Sequence, residues 1–206
     1  MKKYIALLSF LLFALTKVAA QKVFVINIRQ EIDPQMSHFV DLGLKAATRD
    51  SADYIIIDMD TYGGALTDAD KIRTALLDYP KPVYVYINKN AASAGALISI
   101  ACDSIYMDRG SNIGSATVVD GEGKPAPDKY QSFMRAMMRS TAEVNNRNPD
   151  IAESMVGTVV GTDSITVGKV TAFTTSEAIA NHYCEAEVRS LTDLYKRLHF
   201  ENAHIT

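Results

Sequence analysis

The chain has 206 residues, 48% hydrophobic and 22% charged, with 21 basic against 24 acidic side chains and a net charge of −3. That length suits one medium domain, and the balance excludes wholesale disorder and a polytopic membrane protein. No Lys/Arg run marks a nucleic-acid footprint, and the two cysteines, Cys102 and Cys184, make neither a disulfide framework nor a zinc site with paired spacing.

Met1-Lys2-Lys3 precedes an apolar run, Tyr4 to Thr16, followed by Lys17-Val18-Ala19-Ala20-Gln21. A basic head, a short apolar core and small residues before a cut read as a secretory signal peptide over residues 1–20. The run is shorter than the ~20 residues of a spanning helix, and Lys17 ends it; an uncleaved anchor is the competing reading. Either way residues 21–206 are expected to form one domain outside the cytoplasm, periplasmic or otherwise extracytoplasmic. Two cysteines in that setting are able to pair, but Cys102 lies in the apolar stretch Leu97 to Ile105, which favours a buried thiol.

Lys22 to Arg29 is β-branched and bounded, and reads as a strand. Asp33 as a cap, Pro34 at the first position and a periodic apolar set then predict a helix over Asp33 to Ala47. Tyr54 to Asp58 is a strand apolar on both faces, as in a covered parallel sheet. Gly63-Gly64 breaks the chain before a helix from Leu66 to Leu77, which Pro80 and Pro82 close. Val83 to Ile87 is a third strand, Ala91 to Ala101 a buried helix of small residues, and Ser104 to Met107 a short strand. The alternation predicts an α/β domain with helices covering a largely parallel sheet. Arg109 to Pro127, rich in Gly, Ser, Asp and Pro, is a long loop of the kind that often carries function. Asp128 to Val144 is a helix with Phe133, Met134, Met137, Met138 and Ala142 as its apolar stripe, assigned to the core rather than to a subunit contact. Short helices follow at Ala152 to Val156, after the cap Thr174-Thr-Ser-Glu177, and at Leu191 to Leu198.

Three features carry chemistry, and the carboxyl ends of strands are where open α/β sheets bind ligands. Asp60-Thr61-Tyr62-Gly63-Gly64-Ala65 follows the second strand; its paired glycines suit either a plain turn or backbone N–H groups aimed at a ligand. Ala91-Ala92-Ser93-Ala94-Gly95-Ala96 follows the third. There a serine among small residues suits either close helix packing or an exposed nucleophile on a crowded turn. A nucleophilic serine needs a base, and none of the histidines His38, His182, His199 and His204 is well placed to serve. Lysine is the alternative, with Lys89, Lys124, Lys129 and Lys169 as candidates. Lys129 opens a predicted helix, where the macrodipole disfavours a cation; burial there would depress its pKa further and favour the free amine, whereas the pattern alone reads more readily as a solvated surface lysine.

Together these segments resemble the NfeD-type membrane-associated serine proteases, relatives of ClpP and of signal peptide peptidase A. The matching pieces are Asp60 to Gly64, Ala92-Ser93-Ala94-Gly95, Gly110 to Ala116, Pro127-Asp128-Lys129, Asn146 to Ala152 and Thr174 to Ala180. The resemblance covers most of Lys22 to Leu198. It implies a ClpP/crotonase-like α/β fold of stacked β-β-α units with a largely parallel sheet. It implies Ser93 as nucleophile, Lys129 as general base and the backbone N–H groups of Gly64 and Ala94 as oxyanion hole, with Tyr62 and Gly63 lining the substrate groove. It further implies an endopeptidase for apolar peptide segments, stomatin-like membrane proteins as partners, no metal or organic cofactor, and at least a homodimer.

Two departures stand out. Tyr62 replaces the proline common in the family's Asp-Thr-Pro-Gly-Gly turn, which loses the φ restraint of proline. Longer members continue into membrane helices and a small β-barrel, whereas this sequence runs to Thr206, as a short natural form or an excised domain. Two competing readings share the fold: a catalytically inactive scaffold that binds a membrane protein, and a crotonase-like acyl-CoA enzyme.

Overall fold

The computed structural model describes residues 20–157 and 171–206. The signal segment read over residues 1–20 lies outside the described residues save for Ala20, as does the candidate base Lys169. Eight strands form one sheet among the described residues: β1 (Lys22–Ile28), β2 (Tyr54–Thr61), β3 (Val83–Ala92), β4 (Ser104–Met107), β5 (Asn112–Gly114), β6 (Ala172–Thr174), β7 (Ala186–Glu187) and β8 (His204–Ile205). The helices are α1 (Pro34–Arg49), α2 (Leu66–Leu77), α3 (Ala94–Ile100), α4 (Asp128–Val144), α5 (Pro149–Ser154), α6 (Thr175–Ala180) and α7 (Leu191–Arg197).

The main path runs β6-β5-β3-β2-β1-β8, and every pairing is parallel except β5 with β6. β3 forks. Its first half pairs with β4 through Tyr84 to Ile87, and its second half pairs with β5 through Asn90 to Ala92. The fork explains two differences from the sequence reading. Ala91 and Ala92 belong to the strand, not to the following helix, and the loop from Arg109 contains a strand. Small polar and apolar residues at 88–92 gave no alternation to mark the extension; the partner strand β5 supplies it.

β2 is covered on both faces, as its composition predicts. Ile55, Ile57 and Met59 join the large core beneath α1 to α4, while Ile56 faces a second cluster with Val23, Tyr86, Leu194 and Phe200. α7 covers that second face through Leu194. α1 starts where expected: the Asp33 carboxylate accepts the Met36 N–H at 2.7 Å, and Pro34 takes the first position. Gly43 brings this helix onto β1, since a side chain there would begin 2.9 Å from Ile26 Cδ1.

α4 keeps its predicted span. Met134, Met137, Met138 and Ala142 are buried as the core reading held, but Phe133 is exposed. Gln131 takes the inward place one turn earlier, fully buried. Cys102 and Cys184 are both buried free thiols. Among the described residues no helix is long and apolar enough to cross a membrane.

Candidate active site

β2 and β3 lie side by side and parallel, so the turns that leave them emerge at the same edge of the sheet. The turn after β2 carries Gly63 and Gly64; the turn after β3 carries Ser93. Each is built by a local constraint. Thr61 is buried and its hydroxyl donates to the Gln30 carbonyl at 2.6 Å while accepting the Gly63 N–H at 3.2 Å. Ile32 then flanks Gly64: its N–H donates to Gly63 O at 2.9 Å, and its carbonyl accepts the Ala65 N–H at 2.7 Å. In a parallel ladder successive residues turn their polar groups to opposite sides, so the N–H of Gly64 faces away from Ile32. That residue has to be glycine. Its φ is +151°, and a Cβ would lie 2.2 Å from the Ile32 carbonyl oxygen.

Ser93 has φ 55° and ψ −117°, an unusual conformation for a residue with a side chain. Its backbone is tied on both sides: the N–H donates to Gly114 O at 2.9 Å, and the carbonyl accepts the Ala96 N–H at 3.0 Å. Its side chain does not cap α3. Among the described residues its hydroxyl makes no hydrogen bond. A strained, half-buried serine with a free hydroxyl on a strand-to-helix turn is the arrangement a nucleophile requires. The packing reading holds as well: a side chain at Gly95 would begin 2.7 Å from Thr61 Cγ2, so the small residues let α3 sit against β2.

The two turns touch. A Cβ on Gly63 would stand 2.7 Å from Ser93 Cβ and 3.1 Å from its Oγ. Among the described residues, the N–H groups of Gly64 and Ala94 have no protein acceptor. Each of the two turns therefore carries one such donor, in the residue after Gly63 and in the residue after Ser93. A cavity of about 430 Å³ opens beside them, lined in part by Tyr62, Gly63 and Gly64, with Tyr62 81% exposed.

Lys129 sits in the first turn of α4 and is exposed, as the solvated surface reading of its pattern has it, and not in the apolar site that the base role called for. The inward residue of that turn is Gln131, which leaves Lys129 pointing outward with its Nζ 4.9 Å from the Tyr130 ring centroid. Among the described residues, no hydrogen bond joins it to Ser93. The other described candidates are spoken for. Lys89 pairs with Asp108 at 2.6 Å and Lys124 with Glu122 at 2.7 Å. Lys129 makes no ion pair among the described residues.

Sequence reasoning missed two supports of this site. Gln131 clasps the loop ahead of α4: its Oε1 accepts the Val118 N–H at 3.0 Å, and its Nε2 donates to Val118 O at 2.6 Å and Ala126 O at 3.1 Å. Within the long loop read over Arg109 to Pro127, a tight turn forms in which the Asp120 carboxylate accepts the N–H groups of Glu122 and Lys124. A glutamine on the apolar stripe three residues before Met134 was the available signal. The second support is at the far end of α3. Buried Arg147 donates to the carbonyls of Ile100 at 3.0 Å, Cys102 at 2.8 Å and Asp103 at 3.2 Å. Burial pulls its pKa below the usual guanidinium range, against the nearby Glu185 carboxylate. Among the described residues no cluster of His, Cys, Asp or Glu is fit to hold a metal ion.

Residues 22–206 match the family model described as NfeD1b, N-terminal domain. Membrane protein NfeD1b of Bacillus subtilis is 35% identical over 192 residues, which are 92% of this chain and 44% of that protein. Membrane-bound protease PH1510 of Pyrococcus horikoshii is 26% identical over 206 residues, 96% of this chain and 44% of that protein. The chain thus spans less than half the length of these curated relatives. Among solved structures, the stomatin-specific protease 1510-N of Pyrococcus horikoshii, as a lysine-to-alanine mutant with a substrate peptide, superposes with a TM-score of 0.79 at 25% identity over 92% of each chain. Its serine-to-alanine mutant gives 0.78 at 25% identity, over 92% of this chain and 98% of that one. ClpP1 of Listeria monocytogenes has a TM-score of 0.62 at 17% identity over 81% of this chain and 91% of that one. An enoyl-CoA hydratase of Mycobacterium marinum reaches 0.62 at 17% over 85% and 78%. The ClpP/crotonase-like α/β fold expected from the sequence is therefore the fold observed.

Proposed function

This chain belongs to the NfeD1b N-terminal-domain family, and from that premise we propose that it is a serine endopeptidase working through Ser93 and Lys129. The observation that carries the reading is the strained Ser93, its hydroxyl free and pressed against the double-glycine turn. The relative 1510-N is a protease whose serine and lysine mutants have both been solved, one with substrate peptide, which supports a serine and a lysine as the working pair.

In the proposed reaction the neutral Lys129 amine takes the proton of the Ser93 hydroxyl as its oxygen attacks the scissile carbonyl. The Gly64 and Ala94 N–H groups receive the oxyanion. The protonated lysine then gives its proton to the leaving amine, and water, activated by the same amine, releases the acyl group from Ser93. The Lys129–Ser93 hydrogen bond forms in the substrate complex, where catalytic contacts that are loose in the free enzyme tighten. The substrate is an extended apolar segment that adds as a strand beside the Gly63-Gly64 turn, in a membrane protein of the stomatin type. Residues 1–20 act as an export signal, the domain works outside the cytoplasm near a membrane, and the protein assembles at least as a dimer.

One observation favours the inactive scaffold: the exposed Lys129, with no hydrogen bond to Ser93. Incubation of the purified protein with apolar stomatin-type peptides separates the two. The protease reading expects cleavage by the wild type and loss of at least ~10³-fold in rate in both Ser93→Ala and Lys129→Ala. Peptide binding without cleavage by the wild type, unchanged in both variants, contradicts it.

A further inference from the structure

The cavity beside the double-glycine turn has a charged wall that an apolar groove does not need. Besides Tyr62, Gly63 and Gly64 it is lined by Arg29, Glu31 and Asp60. Asp60 is held across three strands. Its Oδ1 accepts the Asn90 N–H at 3.2 Å and the Asn90 Nδ2 at 3.0 Å, and Asn90 Oδ1 accepts Asn112 Nδ2 at 3.0 Å. Its second oxygen, Oδ2, accepts no hydrogen bond among the described residues. Glu31 is exposed and, among the described residues, makes no ion pair.

Arg29 does not neutralise this wall. Its Nε and one terminal nitrogen both bond a single oxygen of Asp58. Asp58 is 1% exposed, and its other oxygen, Oδ1, has no hydrogen-bond partner among the described residues. The Arg29 charge is thus committed to a buried carboxylate that is itself short of donors. Arg29 lines the cavity with its charge paired, while the carboxylates of Asp60 and Glu31 line it without a cationic partner among the described residues, next to the exposed aromatic ring of Tyr62. A cation is the group that satisfies a carboxylate oxygen and a ring face together.

We infer that this cavity is a side-chain subsite selecting lysine or arginine in the substrate. The inference rests on the peptidase reading and refines it: a basic residue flanks the cut within an otherwise apolar segment. Gly63 lines the cavity and also borders Ser93, so the basic side chain belongs to a residue close to the scissile bond. An apolar side chain entering here would cover Asp60 Oδ2 and supply no donor.

The test uses apolar peptides identical except at one position near the cut, which carries Lys, Arg, Met or Glu. The ratio of kcat/KM for Lys over Met is expected to reach at least about tenfold at one position, with Glu disfavoured there. Asp60→Asn, which keeps the acceptor for Asn90, is expected to bring that ratio close to one, and Glu31→Gln to lower it. The ratio is read within each protein, so a general loss of activity does not imitate the effect. The same preference is expected in peptide affinity for Ser93→Ala. Cleavage with no preference for a basic residue at any position overturns the subsite alone. A preference for Glu that Arg29→Gln abolishes also overturns it. Absence of any cleavage by the wild type overturns the peptidase reading, and equal affinity of Ser93→Ala for the Lys and Met peptides then overturns the subsite as well.

Discussion

Gly63 and Ser93 are in contact: a methyl group on the glycine would stand 2.7 Å from the serine Cβ and 3.1 Å from its hydroxyl oxygen. The contact joins the turns that leave two neighbouring parallel strands, and it leaves space for backbone but not for a side chain. The φ of Gly63 is +113°, which adds strain to crowding. Gly63→Ala is therefore expected to displace the Ser93 hydroxyl and cost at least ~10²-fold in turnover, with a stability loss of about 1–3 kcal/mol. Gly64→Ala collides with the Ile32 backbone instead and is expected to lower stability more. Steady-state kinetics and urea denaturation of the two variants check this; an active Gly63→Ala of wild-type stability contradicts it.

Gln131 fixes the loop ahead of the helix that bears Lys129. Gln131→Leu keeps the volume but leaves the Val118 N–H and the Val118 and Ala126 carbonyls without this side chain. Losing such partners costs about 1–3 kcal/mol per buried group left unpaired. A fall in the urea midpoint and faster amide exchange at Val118 are expected. Unchanged exchange there would falsify the clasp.

Burial pushes the Glu185 carboxyl above the usual carboxylate range, although the Ile105 N–H and Arg147 both pull it down. The folded protein then binds the Glu185 proton more tightly than the unfolded chain does. As pH rises from the ordinary glutamate range through the raised folded value, the unfolded chain loses its proton first and stability falls. Glu185→Gln removes that component and retains an acceptor for Ile105. Its stability relative to wild type is expected to rise with pH over that window in urea titrations. A constant difference across the window contradicts the sign.

Both thiols are buried, and desolvation pushes Cys184 up to about 12 and Cys102 higher still. The thiolate that reacts with disulfide reagents is therefore scarce at neutral pH. Neither cysteine is expected to react in the native protein, and both to react in urea. Rapid native labelling with intact circular dichroism contradicts this.

Most of the scaffold was legible because its signals are local. Asp33-Pro34 sets the start of α1, and the unbroken Ile55-Ile56-Ile57 run announces a strand covered on both sides. Ser93 and Gly63-Gly64 were found for the same reason, since crowding and positive φ leave their mark in residue type. The extension of β3 through Ala92 and the pairing of β5 were not legible, because each depends on a partner strand distant in sequence. Lys129 illustrates another limit. Its place at the start of α4 follows from the sequence, but the choice between the solvated and the buried reading follows from Gln131 taking the inward position of that turn. The charged wall of Arg29, Glu31 and Asp60 is likewise assembled from β2 and the turn after β1.

The account turns on a lysine-activated serine at the double-glycine turn. The most direct measurement is peptide mapping by mass spectrometry after treatment with a serine-reactive fluorophosphonate in the presence of an apolar peptide ligand. A single adduct on Ser93 is expected, formed at least ~10²-fold more slowly in Lys129→Ala. An unmodified Ser93 in the wild type, or equal labelling rates in the two proteins, would contradict it.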